Sequence, residues 1–273
     1  MELKFNVGKV EYSFDTSNPI DISIPLLFNG EQPNIYNVNI ATSRAYETNG
    51  FIGDTRRGGG CNFEEHKLIS HCNGTHTECV GHISFERISI HNTLKDLFIP
   101  STLITVYPEN AFDSGDKYIP EKNAEDFMIT QKILEEKLRD CHNDFLEGLV
   151  IRTLRNDNSK KSRRYMEDPP TFFSIDAMEY IVSLNVKHLL IDIPSVDRTF
   201  DEGKLTAHHV FWNVPYESHE IDKENHSMKT ITEMIYVSNE VEDGEYLVNI
   251  QIPNFVADAA PSRIFLFKIR NKN

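Results

Sequence analysis

The chain is poor in the features that mark several classes of protein. It holds four cysteines in 273 residues, Cys61, Cys72, Cys79 and Cys141, too few for a disulfide framework at this length. Positive charge is scarce: 28 Lys and Arg stand against 42 Asp and Glu, a formal charge of −14. That balance disfavours nucleic-acid binding, which needs clustered cations to displace counterions. It equally disfavours attachment to anionic membranes. No apolar run approaches the ~18–20 residues that span a bilayer. The opening stretch, MELKFNVGKVEYSF, lacks the apolar core of a signal peptide. A reducing cytoplasm is therefore the expected setting. No repeat, low-complexity tract or obvious linker divides the chain, so one domain over residues 1–273 is expected, large enough to bury a sizeable core.

Short β-branched segments bounded by turn residues read as strands. They are DISIPL (21–26), STLITVY (101–107), GLVIRT (148–153), KHLLIDI (187–193), EYLVNIQI (245–252) and RIFLFKI (263–269). An apolar stripe at Phe127, Leu134, Leu138, Cys141 and Phe145 predicts a helix over 124–145 with Asn123 as its cap. A second helix is expected over 175–184, capped by Ser174, with Ile175, Met178, Ile181 and Val182 inward. The order strand, helix, strand implies an α/β or α+β protein with some parallel strands. Two stretches read as long loops, 51–62 and 155–170. The second carries Lys160, Lys161, Arg163 and Arg164, a basic run expected to be solvated. The glycines at 58–60 are not a P-loop, because no Gly-Lys-Ser/Thr follows.

The stretch most able to carry chemistry is HCNGTHTECVGH, His71 to His82. Cys72, His76, Glu78 and His82 all occupy even positions. On a helix Glu78 would lie far from Cys72 and His76, whereas an extended chain points all four the same way. Same-face neighbours on a flat strand are about 6.6 Å apart, too far for two ligands each ~2.1 Å from one cation. The chain must therefore curl, and Gly74 and Gly81 are placed to let it. Imidazole and carboxylate suit Zn²⁺, Mn²⁺ or Fe²⁺, and a thiolate from Cys72 would favour Zn²⁺. Taken singly, each residue has an ordinary alternative: a buried thiol, a structural histidine, a solvated carboxylate. Two later segments offer further ligands, TAHHVFW (206–212) with His208 and His209, and TITEMIYV (230–237) with Glu233. A Cys79–His82 nucleophile pair is a weaker reading, since so local a pair lacks separate rigid supports.

The pattern G-T-H-x-E-x-x-x-H at 74–82 resembles the signature of the kynurenine formamidase and putative-cyclase family of metal-dependent hydrolases, commonly H-x-G-T-H-x-D-x-P-x-H. DISIPL, GLVIRT, FSIDAMEYIVSLNVKHLLIDIPSVD, TAHHVFW and ITEMIYV are similar to further segments of that family, in the same order. The resemblance implies a β-barrel-like mixed-sheet core flanked by helices, and homodimers or higher oligomers. It implies a centre for one or two Zn²⁺ ions, with Mn²⁺ as the alternative. His76 and Glu78 match metal ligands. His82 matches a second-metal ligand or proton shuttle, His208 the later site histidine, and Glu233 the later glutamate. Three departures stand out. The first histidine ligand aligns with Cys72, Glu78 replaces an aspartate, and Val80 replaces a proline. His208 and Glu233 are also farther apart than expected, with YESHEIDKENHS between them.

Three functions follow. The first is hydrolysis of an amide, formamide or cyclic amide or ester by metal-activated water, with His82 or His208 moving the proton. The second is cyclisation or dehydration at the same centre. The third is a binding protein that keeps the fold without the metal. Phe51 and Phe63 are candidates to line a substrate pocket or to pack in the core.

Overall fold

A two-residue period and β-branched content build the centre of the molecule. The computed structural model describes residues 1–271. Its main sheet contains β1 (Glu2–Val7), β2 (Val10–Asp15), β3 (Ile20–Asp21), β4 (His76–Cys79), β5 (Ile99–Val106), β6 (Gly148–Thr153), β7 (His188–Ile191), β8 (Thr230–Glu233), β9 (Gly244–Gln251), β10 (Ala259–Pro261) and β11 (Arg263–Asn271). The strand order is β1-β2-β11-β9-β5-β6-β7-β8-β4-β10, with β3 pairing β11. The strands β5, β6, β7 and β8 run parallel, and the flanking pairs are antiparallel. The core is the expected large mixed sheet, and it curls in the barrel-like sense: β3 pairs with β11, the adjoining Ser23 bridges Ile235 just past β8, and Ile22 packs in one cluster with Val150, Leu190, Ile235, Val248 and Leu266.

The central strands are buried on both faces, as parallel strands under helices must be. On β6, Leu149 and Ile151 join Leu189, Ile191 and Ile231 on one face. Helices α3 (Ile175–Ser183) and α4 (Thr206–Trp212) cover that face with Met178, Ile181, Ala207 and Phe211. Val150 and Leu190, one residue out of phase, meet Leu103, Val248 and Leu266 on the other face. Each such Leu or Ile, fully buried, contributes about 1.5–3 kcal/mol. Ser174 caps α3, accepting a hydrogen bond from Ala177 N at 2.9 Å.

Three expectations change. The long helix predicted over 124–145 is the eight-residue α2 (Gln131–Leu138). Phe127–Ile129 is instead a short strand between Glu109–Asn110 and Phe172–Phe173. Only Leu134 and Leu138 of the apolar stripe face inward from the helix. Asn123 is not the cap; the first turn is held from afar, by Gln131 N donating to Asp116 Oδ2 at 2.7 Å. The segment 21–26 leaves the ladder after Asp21, making only a single bridge from Ser23 to Ile235.

The basic run is not uniformly solvated. Lys160 is buried and its ammonium donates to Thr153 O, Thr153 Oγ1 and Asp192 Oδ2, at 2.7, 2.9 and 2.6 Å. All three of its protons are thereby used. Phe51 and Phe63 do not enter the core. With Tyr46 they form an exposed aromatic cluster. Arg56 and Arg57 pair with Asp54 and Glu47, so neither guanidinium is left open for an anion.

Candidate metal centre

The centre forms where β4 lies between β8 and β10. Residues His76 and Glu78 are two apart on β4 and share a face, as the extended reading requires. Across the antiparallel pair, His76 lies opposite Glu233, the last residue of β8. After Cys79 the chain tightens into a 3₁₀ turn over Val80–His82, which swings His82 back toward Glu78. Gly81 makes that turn possible by close approach, since a Cβ there would lie 2.0 Å from Ile88 O. Gly74 plays a different part from the one expected. Its backbone is extended, and a Cβ would meet only Leu26, at 3.8 Å.

His76 is fully buried, and its Nδ1 lies 3.0 Å from Gly74 O. A carbonyl can only accept, so Nδ1 carries the proton and Nε2 presents a lone pair. That Nε2 has no hydrogen-bond partner, and it faces Glu233 Oε2 at 3.4 Å. Two acceptors therefore look at each other in a buried site, an arrangement that a proton or cation between them must reconcile. Glu78 Oε2, also buried, has no hydrogen-bond partner either. Glu78 Oε1 lies 2.9 Å from His208 Nε2.

The first turn of α4 carries His208, and its ring is held from behind. Nδ1 is 2.6 Å from Asp197 Oδ2, while Asp197 also accepts from the backbone N–H groups of Ala207 and His208 and from the Tyr118 hydroxyl. Burial opposes charge on His208. The hydrogen bonds to Asp197 and Glu78, and their charges, outweigh it and raise its pKa well above the ordinary value. Burial likewise works against ionisation of Glu78, but the charge of His82 and the contacts from His208 and His71 hold it well below the usual carboxylate range. Glu233 is anchored by Val196 N at 3.1 Å and stands 3.8 Å from His208 Nε2.

Potential ligand atoms converge here in three overlapping groups: His71, His76 and Glu78; Glu78, His82 and His208; and His71, His82 and Asp258; a fourth group among the described residues, Asp96, Glu147 and His188, shares none of these residues. Of the residues singled out from sequence, His76, Glu78, His82, His208 and Glu233 are brought together. Cys72 is in none of these groups. Its side chain packs with Ile24, Ile35, Tyr165 and Met234, and burial, then the charge of Glu233, pushes its thiol up to about 11. Its neighbour His71 faces the centre instead. The second cysteine of the motif, Cys79, is buried and its thiol meets Ile88 O at 3.6 Å, away from His82. The partners missed from sequence are His71, Asp197 and Asp258. Asp197 closes the segment IDIPSVD, whose resemblance to the family was a usable signal. Nothing near Asp258 in sequence points to it.

A large mixed sheet bearing an imidazole–carboxylate centre at the edge of its parallel strands defines the class. The chain belongs to the family described as “Putative cyclase”, whose model matches residues 15–198. That span includes the motif loop and Asp197, while His208, Glu233 and Asp258 lie beyond it. Among solved structures, a potential metal-dependent hydrolase with cyclase activity matches with TM-score 0.57 and 17% identity over 92% of this chain and 98% of its own. Isatin hydrolase A from Labrenzia aggregata matches with TM-score 0.59 and 12% identity over 92% and 93%. A structure described as a novel cyclase gives 0.60 and 13% over 93% and 90%. These likenesses establish the fold. No curated protein matches the sequence. Among the described residues, no helix is long and apolar enough to cross a membrane.

Proposed function

We propose that this protein is a metal-dependent hydrolase of a small amide, formamide or cyclic amide or ester. The observation that carries the reading is the pair of buried polar atoms without partners, His76 Nε2 and Glu78 Oε2, within one cluster of carboxylates and imidazoles. Such a donor set fits a divalent cation. His76, Glu78 and Glu233 would hold the cation, with His82 and His208 beside them. With Cys72 outside the cluster, the thiolate argument for Zn²⁺ is gone; Zn²⁺ and Mn²⁺ both suit the remaining nitrogen and oxygen ligands. When bound, the cation supplies Lewis acidity toward a carbonyl and toward water.

The chain's own residues divide the remaining work. His208, locked between Asp197 and Glu78, is a fixed element that orients the Glu78 carboxylate. His82 is the proton carrier. Its Nδ1 stands 3.6 Å from Asp258 Oδ2 and 3.9 Å from Glu78 Oε2, beyond hydrogen-bond reach of either. Its ring is about a quarter exposed, so it can take a proton from the attacking water and return it to the leaving nitrogen or oxygen. The cyclic amide class is favoured because the fold is shared with an isatin hydrolase.

The test is a matched pair of assays on untagged protein purified without chelators. Elemental mass spectrometry reads the bound metal, and a panel of N-formyl aromatic amines, fused-ring lactams and lactones reads acid release. Near-stoichiometric metal that disappears in His76→Ala, together with acid release that disappears with it, is the expected result. Metal-free protein that also refuses added Zn²⁺ and Mn²⁺ would overturn the proposal.

A further inference from the structure

His71 has both ring nitrogens directed at carboxylates. Nε2 is 2.9 Å from Asp258 Oδ2, and Nδ1 is 3.0 Å from Glu78 Oε2. The two contacts differ in kind. The first has hydrogen-bond geometry, whereas Glu78 Oε2 makes no hydrogen bond at all. A carboxylate that accepts Nε2–H leaves the Nδ1 lone pair free. Nδ1 lies 3.0 Å from Glu78 Oε2 but off the hydrogen-bond line to it, as two atoms converging on a third point would, and ligand atoms of His71, His76 and Glu78 all lie within 4.8 Å of one another. Two ligands of one cation, each at ~2.1 Å, lie no more than about 4.2 Å apart, and the 3.0 Å between Nδ1 and Oε2 falls inside that limit.

Asp258 comes from the far end of the chain, and the sheet delivers it. The pairing of β10 with β4 sets Ala259 opposite Glu78, and Cys79 N donates to Asp258 O at 3.1 Å. Asp258 therefore reaches the rim of the centre as a consequence of strand register. Its relation to His71 repeats that of Asp197 to His208: a carboxylate grips one imidazole nitrogen while the other faces Glu78. In metal centres this arrangement fixes the tautomer and the ring orientation, and it raises the basicity of the ligating nitrogen.

We propose that His71, through Nδ1, supplies the ligand that the signature places at position 72, and that Asp258 is the positioning residue that holds it. The assignment rests on the metal-hydrolase reading and adds to it the two residues that make the inner ligand set complete without a thiolate. Cys72 is then an apolar core residue, one position removed from the role its alignment suggests.

The experiment measures Zn²⁺ affinity by chelator competition, and the visible spectrum of the Co²⁺-loaded protein, for the wild type and for C72S, H71A, H76A, D258A and D258N. Far-UV circular dichroism checks each fold, and the isosteric D258N serves if D258A does not fold. C72S should bind as the wild type does. H71A should lose the metal as H76A does. D258A should weaken binding about 10–100-fold and shift the Co²⁺ bands, with D258N intermediate. Wild-type affinity and spectrum in D258A and H71A, with loss in H76A, would overturn this assignment alone. Loss of metal in C72S would overturn it in favour of the thiolate. Loss of one whole equivalent in D258A, with a second untouched, would make Asp258 a ligand and overturn its positioning role. If the wild type binds neither ion, the hydrolase reading falls and this assignment with it.

Discussion

Replacing Lys160 by methionine is a demanding test of how the site's supporting loops are held. The change removes a cation that is 3% exposed and leaves Asp192, fully buried, without its counterion. Asp192 would keep only the Thr153 N–H and hydroxyl, at 2.9 and 2.8 Å. Breaking a buried pair from one side costs about 3–5 kcal/mol, because the remaining charge stays desolvated. For a chain of this size that is a fall of roughly 6–20 °C in Tm. Asp192 begins the segment that runs to Asp197 and grips His208, so the loss should also loosen the centre. The double variant Lys160→Met/Asp192→Asn removes the orphaned charge while keeping an acceptor for Thr153. It should cost only about 1–3 kcal/mol, the penalty of imperfectly satisfied polar groups. Urea unfolding read by tryptophan fluorescence and circular dichroism gives both values, with m held constant as the check on comparability. The double variant should be more stable than the single one, because it leaves no unpaired buried charge. A single variant within 1 kcal/mol of wild type, or a double variant less stable than the single, would refute it.

Other outcomes are open to direct measurement. His188 is fully buried, and its folded pKa is lowered to about 4, first by burial. Below its unfolded value near 6.5 the unfolded chain takes the proton first, so the stability this group contributes is complete above pH 6.5 and is lost as pH falls toward 4. The loss is about 3 kcal/mol; a His188→Gln variant whose urea stability fell as steeply as wild type over that window would contradict it. Gly81→Ala drives a Cβ into the Ile88 carbonyl and should destabilise by about 1–3 kcal/mol while displacing His82, so unchanged Tm and unchanged turnover would count against the close-approach argument. Saturation with the bound cation should raise stability by about 2.7 kcal/mol at 100 times Kd, and scanning calorimetry with and without chelator reads that difference directly. We propose a homodimer or higher homo-oligomer, giving a mass of at least twice 31.5 kDa by light scattering; a monomer at all concentrations would overturn it.

Much of the architecture follows from local pattern. Alternation in GLVIRT and HLLI sends Leu149 and Leu189 to one face and Val150 and Leu190 to the other, whatever the partners. Ser174 before a run of helix formers is a cap by its own chemistry. The two-residue period of an extended chain likewise puts His76 and Glu78 side by side. The helix expected over 124–145 failed because an apolar stripe does not record which strands are free to pair, and Phe127–Ile129 found two. Lys160 reads as a solvated charge until a buried Asp192, thirty-two residues away, is brought to it.

The centre divides along the same line. The ligand types and the curl of the motif loop were legible, because spacing and residue chemistry are properties of the chain itself. Whether position 71 or 72 faces inward was not. That choice is made by the helical turn Ser70–Asn73, which turns Cys72 into an apolar cluster and His71 toward Glu78. Asp258 was invisible for a deeper reason. It lies 187 residues from His71, and only the register of β10 against β4 makes them neighbours. Sequence determines which groups are able to bind or move a proton; the fold alone decides which of them meet, because a contact between distant residues depends on strand pairings that no local pattern contains.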